Sequence, residues 1–588
     1  MNAEYFRVRI QEKFYFYLVK RYDMNKNYLL VLPLVFMFFC APQSNQNEEL
    51  GEFAPPDAYL EGSVHPYYGS ENPWDRRFFY DQIKFEYKRR GQRQMLDIVE
   101  DRPQETIKYC QELLAEDPDD LESLFNLAVA QAHIGDINSA IQTMERAVQA
   151  GIPFERFLAG PRDILKPLTD SPEFRKIAAR QPIQLLHGPM LGCVTDHIAK
   201  FWIRTLNEVP VYVVVSPLED FSKSKRSEIY LTRSDRDFTT IVEINDLWPS
   251  TTYYYDIIVD GKPSLKPNYP TFTTYPRPGD STRIQIGFGG GGGYYPPNER
   301  IWDLIQSYRL SAMLLMGDNV YINMPEMPNG VHYYTYYRRQ SRPEFRRMVA
   351  TTPICAIWDD HDCATDDVWM GPFRDKPEWK MPLFQIFREN WNNPGYGDPE
   401  WPACWFSFSI GDVDFFMLDG RFYRTNPFTE NPTMLGPVQK EWLLKQLKKS
   451  KGTFKVIVSP VPWSLATKGE ARDTWNGFKA ERQEIFNFLT DNQINGVILL
   501  SADRHRSDAW RIDRDDDYPL YEFESSRLTN QHVHELMPAA LFGYNEKQSF
   551  GLLTFDTTLP DPTVMYQIVS IDNEVIHSLT LKKSEISH

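Results

Sequence analysis

Paired sulfur is missing from this sequence. Its 588 residues hold six cysteines, at positions 40, 110, 193, 355, 363 and 404, and no two form a CxxC pair. That spacing argues against a zinc ribbon and supplies no disulfide framework. Cys110, Cys193, Cys355, Cys363 and Cys404 read as free buried thiols. Positive charge is also short: 64 Lys and Arg against 80 Asp and Glu leave a net charge of −16. A surface with that balance repels polyphosphate, so no nucleic-acid-binding domain is expected. The apolar run Asn27–Phe39 (NYLLVLPLVFMFF) is too short to span a bilayer comfortably, which takes roughly 20 residues.

That run follows Lys20, Arg21 and Lys26, ends at Cys40, and gives way to the polar stretch APQSNQNEEL. The layout is that of a secretory signal, and it resembles a bacterial lipoprotein signal with Cys40 as the lipidated residue. Phe38 and Phe39 stand where such signals usually place small residues, so an ordinary signal peptide and an uncleaved anchor are the alternatives. Met24 offers a second start that leaves a compact signal. The expectation is an exported chain, periplasmic or on the outer surface, held to a membrane by a lipid on Cys40.

What the chain has in quantity is core material. Hydrophobic residues make up 42%, with 14 Trp, 32 Tyr and 37 Phe, which argues against global disorder. The length calls for several domains. Residues 1–40 read as the export segment and 41–75 as a polar, Pro-rich linker. Residues 76–180 are helical. Between Leu121 and Ile152, Leu124, Leu127, Ala128, Gly135, Ala140, Met144 and Ala147 fall at tetratricopeptide-like spacings, small residues where helices cross. One such unit cannot bury its own face, so the flanking helices complete a bundle; a structural prefix and a module that docks a protein partner both fit. From 185 to 278 the period changes to two, with strands at Ala199–Arg204, Val209–Val215, Thr240–Ile244 and Thr252–Val259, a fibronectin-III-like β-sandwich. From 283 to 588, short apolar strands alternate with helices in a layered domain.

Three of those strands end in chemistry. Ala312–Met316 runs into Gly317-Asp-Asn-Val-Tyr321, Ile354–Trp358 into Asp359-Asp-His-Asp362, and Val497–Leu500 into Ser501-Ala-Asp-Arg-His505. Carboxylates gathered at the mouth of a buried sheet lose hydration and repel one another, so they call for a compensating cation. Asp318, Tyr321, Asp360, Asp503 and His505 are the candidate ligands, with Asp318 between two cations. Asp359 and Asp362 are either ligands or anchors for them. His361 is placed to protonate a leaving oxygen. Asp503 and His505, two apart, project from one side of a strand end with Arg504 on the other. Arg421 and Arg424, after the strand Val413–Leu418, are candidates for binding phosphate together with Arg504; salt bridges to the site's own carboxylates are their alternative. Cys363 reads as a packed thiol. Two cations held here would activate a water for in-line attack on phosphorus.

GDNVY at 317–321, WDDHD at 358–362, LDGRFYR at 418–424, DTWNGF at 473–478 and SADRHRSDAWRI at 501–512 resemble, in order and spacing, the PhoD-like alkaline phosphatase family of the calcineurin-like metallophosphoesterases. The likeness runs from about Leu185 to the carboxyl end and leaves out the helical prefix. It implies a four-layer αββα fold, export, and hydrolysis of phosphomonoesters or phosphodiesters. Two or more metal ions are implied, Ca2+ and Fe3+ first, with Mn2+ or Zn2+ as substitutes. By motif it makes Asp318, Tyr321, Asp360, Asp503 and His505 ligands and sets His361 by the phosphate. The sequence departs from the family in three ways: Ala502 replaces the usual Gly, the twin-arginine export signal common in the family is missing, and a thiol is lost. The Ser-Cys that members commonly carry after the first strand, whose thiol ligates iron, is replaced by Gly289–Tyr295 (GGGGGYY). The glycine amides are candidates for binding an anion and Tyr294 for replacing the thiol. The missing thiol also leaves room for a degenerate phosphatase fold that serves as a binding or scaffold protein.

Overall fold

The computed structural model describes residues 90–181, 183–265, 267–326, 329–364, 366–515 and 517–588. The export segment with Cys40, and the linker at 41–75, lie outside the described residues. Among those described, no helix is long and apolar enough to cross a membrane.

The prefix is helical from Gln92 to Ala178. Its helix starts are written in capping chemistry. Asp120 accepts from the Ser123 amide at 2.8 Å, Asp136 from Ser139 at 3.1 Å and Ser171 from Phe174 at 3.2 Å, each satisfying a donor that the first turn leaves open. Leu121–His133 and Ile137–Ala150 form the central antiparallel pair, and Leu124, Ala128, Ala140, Met144 and Ala147 are buried between elements as their spacing predicts. Gly135 differs from that expectation. It sits in the turn at φ +84° with open space around it, so it serves the left-handed backbone and not a helix crossing.

The bundle is completed from outside the prefix. Val331 and Tyr334, on the helix Asn329–Gln340 of the layered domain, belong to the same apolar cluster as Leu124, Phe125 and Leu165. Tyr334 donates to the buried Glu122, whose carboxylate also pairs with Arg156 at 3.2 Å. Asn126 donates to the Tyr334 hydroxyl at 3.2 Å, and Arg338 to the carbonyl of Arg90 at 2.6 Å.

Residues 185–273 form two antiparallel sheets. One pairs Leu185–Gly192, Ala199–Thr205 and Thr239–Ile244; the other centres on Pro210–Ser216 and Thr252–Val259. Phe201 of the first meets Tyr255 of the second at 4.6 Å. This sandwich is fastened to the layered domain by Arg204, which is fully buried. It donates to Gln340 at 2.6 Å and Asn390 at 2.8 Å, meets the His187 ring at 2.7 Å, and pairs with Asp237 at 2.8 Å.

The layered domain holds two sheets. In one, Arg283–Gly289, Ala312–Met316 and Ile354–Ile357 are parallel neighbours, extended by the antiparallel strands Ser549–Asp556, Thr563–Ser570 and Val575–Lys582. In the other, Val413–Met417, Phe454–Val458, Val497–Ser501 and Asp517–Ser525 are parallel neighbours, with Phe406–Ile410, Ser507–Arg514 and Phe542–Tyr544 added antiparallel. Parallel neighbours need crossovers, and the helices Ile301–Ser307, Pro343–Thr351, Gly436–Lys449 and Lys479–Asp491 supply them, except that Val497–Ser501 reaches Asp517–Ser525 through the strand Ser507–Arg514. The inner faces close on each other: Phe523 stacks on Tyr566 at 4.2 Å, and Phe454 meets Phe555 at 5.4 Å. Four layers, αββα, result. The parallel strands run as continuous apolar stretches because both of their faces are covered.

Candidate metal centre

The two sheets deliver their functional groups at the carboxyl ends of the parallel strands, where an α/β layer binds ligands. After Met316 the chain turns at Gly317 (φ +99°), and a Cβ there would stand 2.4 Å from that of Asp359. Glycine therefore lets two strand ends touch. Asp318 follows at φ +53°, a left-handed backbone that non-glycine residues adopt at a cost. Its Oδ2 accepts from the Tyr321 hydroxyl at 2.8 Å and lies 3.4 Å from His505 Nε2. Its Oδ1 is buried without a hydrogen-bond partner.

After Ile357 the cluster folds into one helical turn, Asp360–Cys363, with a capping box between Asp359 and Asp362. Asp362 accepts from the amides of Asp359, Asn319 and Val320 at 3.0, 3.0 and 3.2 Å, which makes it an anchor. Asp360 accepts from the amides of His361 and Asp367, both at 2.8 Å. The Nδ1 of His361 lies 2.6 Å from Asn323 and its Nε2 2.9 Å from Asp366. Cys363 packs its thiol on the carbonyls of Asp359 and Asp360.

Three sequence-based expectations are corrected by this geometry. Asp359 is not open to a cation, because its Oδ1 accepts from Arg421 Nε at 2.5 Å. Arg421 and Arg424, fully buried, are not presented to a substrate. Arg421 spends its other donors on Asp473 at 2.7 Å and Val368 O at 3.1 Å, and Arg424 pairs with Asp473 at 2.9 Å. They are the carboxylate clamps that the sequence reading held as their alternative. Arg504 sits beside Asp503 at 3.4 Å. The strand before them stops at Ser501, so Asp503 (φ +75°) and His505 (φ +48°) do not alternate on a strand end; they are aimed by two left-handed residues in a loop.

The glycine run is corrected as well. The amides of Gly290, Gly291 and Gly292 bond Ser525 O at 3.0 Å, Gly317 O at 3.3 Å and Asp318 O at 2.8 Å, so these three are spent on the chain itself and not left for an anion. A Cβ on Gly291 would stand 2.1 Å from Ser526 O. The run exists to bring three strand ends together. Tyr294 packs under the Arg338 guanidinium at 4.7 Å, and burial raises its phenol.

Burial and mutual repulsion set the electrostatics. Burial, opposed by Arg421, leaves Asp359 well above the usual carboxylate range and raises Asp360; burial with Asp318 nearby does the same to Asp362. Asp473 goes the other way: burial would raise it, but Arg421, Lys468 and Arg424 hold it well below. Burial alone would lower His361, yet the carboxylates of Asp360, Asp318 and Asp366 outweigh it and raise that imidazole.

Among the described residues, three sets of side chains bring ligand atoms within 4.8 Å of one another: Asp318, Asp360 and His361; Asp360, Asp473 and Asp503; and His505, His532 and His534. Asp360 is shared by the first two. The first fits a hard cation best, since it is buried, oxygen-rich and leaves Asp318 Oδ1 unspent. In the second, Arg421, Arg424 and Lys468 already neutralise Asp473. Sequence reasoning placed Asp473 in a motif without giving it a role. It missed Asn530, whose amide donates to the Tyr321 hydroxyl at 2.6 Å, and the pair His532 and His534, two histidines one residue apart in a loop.

Comparison with known proteins agrees with this architecture. The family model for PhoD-like phosphatases matches residues 293–550, one for a domain of unknown function (DUF7800) matches 182–276, and one for tetratricopeptide repeats matches 99–151. Alkaline phosphatase D of Bacillus subtilis (strain 168) is 24% identical over 344 residues, 51% of this chain and 58% of that protein, so the chain aligns with less than two thirds of its relative. The solved structure of PhoD covers 67% of this chain, and the match takes in 89% of PhoD, with a TM-score of 0.56 and 18% identity. Purple acid phosphatase PPD1 from yellow lupin (Lupinus luteus) seeds covers 68%, with 75% of its own chain, a TM-score of 0.51 and 14% identity.

Proposed function

We propose, from the premise that residues 293–550 are a PhoD-like phosphatase domain, that this chain is a metal-dependent phosphoesterase acting on phosphomonoesters or phosphodiesters. The observation that carries the reading is the pair of ligand-capable groups that share Asp360 at the carboxyl edge of the sheets, one of them with an unspent buried carboxylate oxygen. Asp318, Tyr321, Asp360 and Asp503 would hold the ions: Ca2+ with Fe3+, for which a phenol and carboxylates are apt donors, or Mn2+ or Zn2+ in their place. His505 is left to the group it forms with His532 and His534. Bound there, the ions would neutralise phosphoryl oxygens and make a nucleophile from water at neutral pH. The chain's own residues set the stage. Arg421 holds Asp359 and Asp473 in place, and Asp362 fixes the turn. His361, whose imidazole is raised by the carboxylates of Asp360, Asp318 and Asp366, is the group placed to pass a proton to the leaving oxygen. The two-sheet module before the domain is read as fibronectin-III-like.

The test is reconstitution with Ca2+ plus Fe3+ or Mn2+, followed by hydrolysis of p-nitrophenyl phosphate and bis(p-nitrophenyl) phosphate. Asp318→Asn is expected to lower turnover by at least about a hundredfold, the scale of losing one key electrostatic group. Full turnover in Asp318→Asn sinks the reading. A chain that holds no metal after growth in replete medium points instead to a binding protein on a phosphatase fold.

Export is a separate proposal, motivated by the apolar run that ends at Cys40. Incorporation of labelled palmitate that is lost in Cys40→Ser supports lipidation, and equal labelling of the two chains refutes it.

A further inference from the structure

The third set of side chains lies outside the machinery proposed above. His532 and His534 come from the loop after the strand Asp517–Ser525, and His505 from the loop after Val497–Ser501. Their rings converge: His505 and His532 lie 5.0 Å apart, His505 and His534 5.4 Å, and His532 and His534 4.6 Å, centroid to centroid. We infer that these three imidazoles form a separate site for a borderline divalent cation, Zn2+ above all, at the rim of the carboxylate cluster.

Donor chemistry distinguishes this site from the one below it. The buried groups offer mainly oxygen, which suits hard ions. Three neutral imidazoles prefer zinc, nickel or copper over calcium. Geometry allows it as well. Donors about 2.05 Å from a tetrahedral zinc stand roughly 3.3 Å apart. The ligand atoms now lie within 4.8 Å of one another, so at most about 1.5 Å of closure is needed, within reach of side-chain rotation.

The backbone that carries two of the three is already fixed. The Asn530 amide bonds Gly291 O at 3.1 Å and its side chain accepts from the His532 amide at 3.1 Å. Gln548 donates to Asn530 O at 3.0 Å, and Asn545 to His534 O at 2.8 Å. Ordering of the loop therefore does not have to be supplied by the ion. His532 is exposed, which leaves a face for a fourth ligand from solvent. His505 is the link between the two places, since its Nε2 also lies 3.4 Å from Asp318 Oδ2.

The experiment is a zinc titration of the full chain in excess Ca2+, which occupies the oxygen donors, with bound zinc measured by equilibrium dialysis and elemental analysis. The wild type is expected to hold one zinc that calcium does not displace. His532→Ala and His534→Ala are each expected to weaken it by about a hundredfold or more, at least what losing an outer-shell partner does. Asp360→Asn, which removes no imidazole, is expected to keep it. Cu2+ in place of zinc is expected to give nitrogen hyperfine structure in its EPR spectrum. Because His532 is exposed, His532→Ala keeps the fold, and an unchanged thermal melt confirms that. Absence of a calcium-resistant zinc in the wild type, its retention in both histidine variants, or its loss with Asp360→Asn overturns the site. None of these readings requires phosphoesterase activity.

Discussion

Arg421 shows how much a single side chain decides. Removing it leaves Asp359 and Asp473 buried with their main counter-charge gone. Breaking a buried pair in this way costs about 3–5 kcal/mol. Arg421→Ala is therefore expected to lower the urea midpoint sharply, as read by circular dichroism, whether or not substrate is present. An arginine that only gripped phosphate would raise KM and leave the midpoint alone. Gly291→Ala makes a second residue-scale case. It places a methyl 2.1 Å from Ser526 O at a left-handed φ of +66°, and a loss of stability of at least about 1–3 kcal/mol is expected in the same assay. The identity of the chemical residues was legible in the sequence because apolar strands end abruptly in carboxylates. Which carboxylates stay open was not. Asp359 and Asp360 are adjacent and alike in the chain, and what parts them is that Arg421, 62 residues from Asp359, bonds that carboxylate at 2.5 Å and stands 3.7 Å from Asp360.

At the level of elements, the joint between sandwich and layered domain carries a titratable group. His187 is buried, with Nδ1 facing the Arg204 guanidinium at 2.7 Å and Nε2 on Ser341 at 2.7 Å. Burial and the Arg204 charge hold its imidazole well below the ordinary value, so the folded chain keeps it neutral. The unfolded chain takes up that proton near a pH of about 6.5. The unfolded state thus binds more protons in acid, and the stability is full above that pH and falls below it. His332, pushed by burial down to about 4, adds in the same direction. Denaturant midpoints are expected to fall from pH 7.5 to pH 5. His187→Asn is expected to flatten that slope by up to about 1.4 kcal/mol per pH unit, the one-proton limit. Elements with clean apolar periods (Ala312–Met316 and Thr252–Val259) were legible to the residue. The helix Asn329–Gln340 was not, since its HYYTYYRRQ run is aromatic-rich and favours strand by propensity. Ser507–Arg514 mixes charged with apolar residues and carries no continuous apolar signal.

For the whole molecule, that unread helix changes what the prefix is. The tetratricopeptide-like pair does not present a bare groove, because Val331 and Tyr334 fill part of its core. Deleting residues 90–180 is expected to uncover those side chains and leave the remainder aggregating, as seen by light scattering. A soluble, fully active remainder would mean that the prefix is an appended docking module. The same packing has a consequence for biosynthesis. Asn126 and its partner Tyr334 are 208 positions apart. A ribosome adding about 5–20 residues per second needs roughly 10–40 s to cross that gap. For that interval the nascent prefix displays an oily cup whose plug has yet to be translated, and a holdase chaperone is the agent expected to cover it.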